Sequence, residues 1–364
     1  MTGELAADTR RVGGRVAPMP TPPGTRLSNL DYLRGIAALG ILAYHYTSWT
    51  FGAQSADTPL GRVGIYGVAV FYVLSGLTMY HVYATRMETP RQVGTFFVRR
   101  AFRIFPLLWL VTLATLVLDR EWPKPITAIL NFTGLFGFFD WDGYIALGAW
   151  SIGNELVFYA LFPFLVLTLR RRWAFWGAVT LFTGIAAYFS FAALDAGVPL
   201  SEQWAMYVNP LNQAFLFVAG IAVGRLLRDV SVPRWILLAV AVVALTVFVA
   251  WPSGAGQISL VTGANRFVFS AVCVALCAVA YKLVVDAPRW LDRPLGTLGE
   301  ASYSVYLIHP MAFTAVSMLV RDRLSDVIVA AVAVAVTLVA SVICYRLYER
   351  PITDVGRRLT PSRR

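Results

Sequence analysis

Arg34 opens an apolar run that carries His45 eleven residues further on. At ~1.5 Å of rise per residue a helix separates the two by ~16 Å, which takes the imidazole past the middle of a bilayer when the arginine sits at its edge. Ionisable side chains are costly in hydrocarbon and mark functional sites there. Glu155 lies in another apolar run, about seven residues from its start. Counted from the outer ends of their runs, His45 is ~7 Å deep and Glu155 ~10 Å deep at helical rise, so the two are expected at one level. A carboxylate that accepts a hydrogen bond from one imidazole nitrogen strengthens the other as a proton acceptor. The expectation is a general base, His45, steadied by Glu155. The plainer alternative is a pair of polar pins between helices.

A second cluster stands at the opposite surface. Arg100 and Arg103, three residues apart, share a helix face. Guanidinium forks bind phosphate oxygens bidentately, so the pair could hold a pyrophosphate, with Arg34 nearby. Arginines at the inner end of a span also follow from the positive-inside rule alone. A third cluster, Ser302, Tyr306 and His309, recurs at spacings of four and three and forms one polar stripe. The stripe either lines a cavity or pins the bundle by hydrogen bonds. Trp141, Tyr144 and Trp150 fall near an outer mouth, where aromatic rings stack on sugars or mark the membrane interface.

These residues need a membrane bundle to position them. The chain has 364 residues, 58% of them hydrophobic and 14% charged, with a mean hydropathy of +0.64. A soluble domain carries about a quarter charged residues. Spans are expected near 33–50, 64–83, 104–118, 148–169, 173–193, 205–227, 235–251, 265–283, 300–320 and 327–348. The fold class is therefore all-α, a polytopic bundle of about ten spans. Most of the 31 basic residues collect at alternate ends of these spans, which puts both termini in the cytoplasm. Arg62, Arg120, Lys124, Arg266, Arg321 and Arg323 fall on the other side. The apolar stretch 126–139 is too short to cross and is expected to dip into the outer leaflet.

Residues 1–28 read as a disordered cytoplasmic tail, 29–351 as the membrane domain, and 352–364 as a basic tail. The net charge of +11 belongs to membrane orientation, and no nucleic-acid partner is expected. Cys273, Cys277 and Cys344 lie inside spans without metal-ligand spacing, so neither a disulfide framework nor a metal is expected. His81 sits at a span end, as an interfacial residue would, and Ser75 with Gly76 suits close helix packing.

The ordered set of segments resembles the acyltransferase-3 family of integral membrane acyltransferases. The matching pieces are residues 31–38 with His45, 71–76, 99–106, Trp150 and Ser151 with Glu155, Phe158, Tyr159 and Pro163, then 217–220, 298–309 and 348–351. The resemblance implies transfer of an acyl group, usually acetyl from acetyl-CoA, to a hydroxyl of a glycan, a lipid-linked sugar or a secreted natural product. It also implies ten spans, with Arg34 and His45 as the first-span pair and Arg100 and Arg103 as the arginine pair. Tyr44 replaces the acid or phenylalanine found before the histidine in many members. With residues 352–364 following position 351, the hydrolase-like domain some members carry is not expected here.

Combined with the depths, the resemblance suggests that acyl-CoA docks on Arg34, Arg100 and Arg103 while its arm reaches inward. Trp150, Tyr159, Ser302, Tyr306 and His309 would contact the substrates, and His45 with Glu155 would take the hydroxyl proton. A histidine-bound acyl group is a further option. Two readings without covalent chemistry compete: a transporter or flippase of a polysaccharide or lipid precursor, and a scaffold in an assembly complex. Transporters often carry paired broken spans in two related halves, and no internal repeat is visible.

Overall fold

The computed structural model describes residues 28–285 and 287–360; the expected N-terminal tail up to residue 27 and positions 361–364 lie outside it. The described residues form helices joined by short connections, with no strand among them. In order these are α1 (Ser28–Phe51), α2 (Pro59–Tyr83), α3 (Pro90–Asp119), α4 (Pro125–Thr133), α5 (Phe136–Phe139) and α6 (Trp150–Thr168). Then come α7 (Arg172–Tyr188), α8 (Trp204–Val208), α9 (Pro210–Leu227), α10 (Arg234–Ala250), α11 (Gln257–Val261) and α12 (Gly263–Lys282). The last third holds α13 (Arg289–Glu300), α14 (Ser302–Val320), α15 (Asp326–Cys344) and α16 (Arg350–Leu359).

Eight helices among the described residues are long and apolar enough to cross a membrane. The chain is a multi-pass membrane protein. Two of the ten expected spans fall short of that criterion for physical reasons. Helix α10 is apolar but has only 17 residues. Helix α1 has 24 residues, yet Arg34, Tyr44, His45, Thr47, Ser48 and Thr50 dilute its apolar content. The helix richest in candidate chemistry is thus the least suited to lipid, and it lies against α2, α13 and α14.

Helix starts follow the local sequence. The Thr58 hydroxyl accepts from the Gly61 amide at 3.0 Å, and Thr89 with Gln92 forms a reciprocal capping box ahead of α3. Proline follows each cap, where its missing amide costs nothing. The bundle centres on α2 packed against α9. A methyl group on Gly76 would run into the Phe217 carbonyl, and one on Gly220 into the Val73 carbonyl. Only glycine permits this backbone approach, as in other small-residue helix contacts.

The stretch 126–139 does not cross. It forms α4 and α5, broken at Gly134, which adopts a left-handed φ of 74°. Asn131 ties it to the following loop, donating to Gly143 O at 2.9 Å and accepting from Ile145 N at 2.9 Å. That loop is partly buried: Ala146 and Ala149 have no exposed surface, while Asp142 and Leu147 are exposed. Helix α6 begins inside the protein, with Trp150 to Asn154 all buried. The described part of the expected basic tail is helical. From 352 to Leu359 the chain continues α16, which packs on α3, and Arg99 donates to the Thr360 hydroxyl at 2.9 Å.

Arg62 and Arg266, two of the basic residues on the wrong side of the expected charge pattern, are buried inside the bundle. Arg62 donates to the carbonyls of Ala56 (3.0 Å), Phe248 (2.5 Å) and Trp251 (2.7 Å), closing the carboxyl end of α10 onto the start of α2. Arg266 donates to Gln213 Oε1 at 2.8 Å and lies over the Tyr207 and Phe215 rings. Both arginines satisfy backbone and side-chain oxygens and carry no information about membrane orientation.

Candidate active site

A cavity of about 690 Å³ enters the bundle between α1, α2, α3, α6, α14 and α16. On α2 its lining runs from Tyr83 through Thr78, Ser75 and Tyr72 to Val68. Those fifteen residue steps span ~22 Å of helix. Its mouth carries Arg34, Arg100 and Arg103, joined by Arg99, Arg350 and Arg357. Its inner end is formed by Ser151 and Tyr306.

The mouth is a charge lattice. Arg34 pairs with Asp31 at 2.9 Å and donates to the Thr78 hydroxyl at 2.5 Å. Close packing of α1 on α13 at Gly35 and Gly299 seats it there. Arg103 lies 4.0 Å from the buried Glu349 carboxylate, and Glu349 accepts from Ser304 at 2.7 Å. Arg100 instead lies over the rings of Tyr83 and Tyr159, and its Nε is buried without a hydrogen-bond partner. A donor left unpaired in a half-buried cation costs about 1–3 kcal/mol and is relieved by an incoming anion.

Deeper in, Glu155 sits with Ser75 and Tyr159, whose hydroxyls are 3.1 Å apart, and with the Arg103 charge. It is not joined to His45. Ser151 donates to the Tyr306 hydroxyl at 2.9 Å, and Tyr306 donates to Gly148 O at 3.0 Å. Glu155 lies one turn from this contact toward the arginines, and His309 one turn from it the other way. The carboxylate and the histidine level are thus ~10 Å apart along the bundle. The structure does not make the expected pairing: the depth count took the start of the 148–169 stretch as the membrane surface, whereas the first turn of α6 is buried in the fold.

His45 has other company. Its ring stacks on Trp49 at 5.0 Å between centroids and faces His309 at 5.2 Å. The His309 Nδ1 is 2.7 Å from Tyr306 O, and the residue is 1% exposed. His309, expected as a substrate contact, stands beside His45, and both histidines lie outside the cavity lining. Trp150 also leaves the expected role: it is packed among Tyr72, Trp204 and Tyr207. Tyr159, Ser302 and Tyr306 do line the cavity, as do Arg34, Arg100 and Arg103. His81 is exposed, with Nδ1 3.2 Å from the Tyr281 hydroxyl.

Sequence reasoning gave no role to Glu349, Arg350 or Arg357. Glu349 lay in a segment quoted for the resemblance, and the available signal was an acid beside a run of arginines at a span end. No group of three or more metal-ligating side chains occurs among the described residues.

A sequence model described as an acyltransferase domain matches residues 27–346, which include all of the site except Glu349 and the arginines beyond it. The chain belongs to the acyltransferase-3 family. It is 28% identical over 359 residues to a Komagataeibacter xylinus protein named "Putative membrane-bound transacylase BcsY", covering 92% of this chain and 85% of that one. It is 27% identical over 311 residues to the exopolysaccharide production protein ExoZ of Rhizobium meliloti, covering 81% and 91%. Similarity to the peptidoglycan O-acetyltransferase OatA of Listeria monocytogenes is 22% over 358 residues, covering 90% of this chain but 56% of the relative. No solved structure matches. As a member of this family the protein is a membrane O-acyltransferase.

Proposed function

We propose that the protein moves an acyl group, acetyl in the simplest case, from acyl-CoA at the arginine-rich mouth to a hydroxyl of a glycan or glycoside reaching the His45 end. The observation that carries this reading is the cavity itself: guanidinium groups ring one end, and the other stops one helical turn short of the histidines. A coenzyme A thioester has matching parts, an anionic nucleotide head and a long flexible arm. Arg100, with its unpaired Nε, and Arg103 would hold the head, and the thioester would travel toward Tyr306. With the arginine end in the cytoplasm, as the basic-residue bias favours, the acceptor comes from outside.

In the transfer step the acceptor oxygen attacks the thioester carbonyl, the carbon–sulfur bond breaks, and the hydroxyl proton passes to His45 and then to the leaving thiolate. Glu155 sets the charge balance around Arg103 in this scheme and does not touch His45. The names of the relatives, one acting on peptidoglycan and one tied to exopolysaccharide, support a glycan acceptor.

The test is purified protein in detergent with radiolabelled acetyl-CoA and a panel of surface glycans. Saturable donor binding, release of free CoA thiol and label on a glycan are the expected results. Absence of all three, with precursor translocation in vesicles instead, would turn the reading to a flippase.

A further inference from the structure

We propose that His309 is the positioning partner of His45, forming with it a histidine pair that shares the proton taken from the acceptor. This rests on the acyl-transfer reading above and assigns to His309 the part that sequence analysis gave to Glu155.

Three observations carry it. First, the His309 tautomer is set. Its Nδ1 is 2.7 Å from Tyr306 O, and a carbonyl oxygen only accepts, so Nδ1 carries the hydrogen. The lone pair is left on Nε2. Second, that Nε2 is buried and has no hydrogen-bond partner. A buried acceptor without a donor is costly, and such groups in folded proteins call for an explanation. Third, the ring lies 5.2 Å from the His45 ring at 31°, and Trp49 stacks against both, at 25° to His45 and 14° to His309. The indole fixes the planes of the two imidazoles.

The proton then has a defined course. The acceptor hydroxyl gives it to one nitrogen of His45 as its oxygen bonds to the carbonyl carbon and the thiolate departs. His45 makes no hydrogen bond to His309 Nε2 in this structure; a small turn of its ring would bring its other N–H onto that nitrogen, and the positive charge is then spread over the pair. The proton returns through His45 to the thiolate, leaving both rings neutral. His309 is fully buried and does not meet either substrate, which separates its role from that of His45.

The experiment compares His309→Ala, His309→Asn and His45→Ala with the unmodified enzyme, each purified as a monodisperse species in detergent. Turnover, donor KM and recovery on adding imidazole or pyrrole are measured. The expected result for His309→Ala is a kcat loss of ~100-fold or more with donor KM unchanged, restored in part by imidazole and not by pyrrole, which fits the same space but has no basic nitrogen. His309→Asn, close in size, should lose kcat in the same way. Full turnover in either variant, or equal recovery by pyrrole, would reduce His309 to a packing residue and overturn the inference. Retained turnover in His45→Ala would strike the acyl-transfer mechanism itself, so the two failures are distinguishable.

Discussion

The Glu349 carboxylate stands 4.0 Å from the Arg103 guanidinium while the Ser304 hydroxyl donates to it at 2.7 Å. Ser304 and Glu349 are both buried, so α14 and the turn ahead of α16 hold Arg103 at the cavity mouth from behind. Glu349→Gln removes the charge that orients this arginine and keeps the side chain's shape. Donor KM is expected to rise by about tenfold, equivalent to ~1.4 kcal/mol, with a smaller change in kcat. Steady-state kinetics over a range of acetyl-CoA concentrations decide it, and an unchanged KM would detach Glu349 from donor binding.

Arg100 reaches one protein acceptor, the Tyr83 hydroxyl at 3.5 Å, and its Nε is buried without a partner. Arg100→Lys keeps the charge but loses the planar fork and its stacking on Tyr83 and Tyr159. Donor affinity measured by calorimetry should drop about tenfold in Arg100→Lys and further in Arg100→Ala. Equal affinity in the lysine variant would mean that simple charge is enough.

At the α2–α9 crossing, Gly76→Ala places a methyl group against the Phe217 carbonyl. The helices must part, and neither backbone can give way cheaply. A loss of about 1–3 kcal/mol is expected, visible as a lower thermal transition in detergent. Ser75, the adjacent cavity residue, would move with the helix, so turnover should fall in parallel.

Arg62 closes the end of α10 through three backbone carbonyls. Arg62→Ala leaves those oxygens without their donor, at a cost of about 3 kcal/mol or more. The expected outcome is poor recovery of folded protein with donor affinity preserved in the fraction that folds, because α10 does not line the cavity.

Much of this was legible from residues alone. The all-α class follows from recurrent apolar runs, and each of the ten expected stretches is helical in the structure. The arginine cluster was found by type and spacing, because membrane helices place arginine sparingly. The partner of His45 was not. Depth along a span is a one-dimensional count, and it fails when a helix begins inside the protein, as α6 does with Trp150 to Asn154 all buried. The polar stripe on α14 could be read as facing inward, but which helix it faces is a matter of packing. His309 therefore read as a substrate contact until α14 was seen beside α1. Arg62 and Arg266 misled in the opposite sense: buried cations bonded to oxygens look the same in sequence as cations at a membrane surface.

Helix α1 is the earliest of the described helices in the chain, yet two of the elements packed on it, α13 and α14, lie more than 200 residues further along. The ribosome must finish most of the polypeptide before His45 meets His309. Catalytic competence therefore arrives late in biogenesis, and the newborn enzyme stays inert while its earlier helices settle in the lipid.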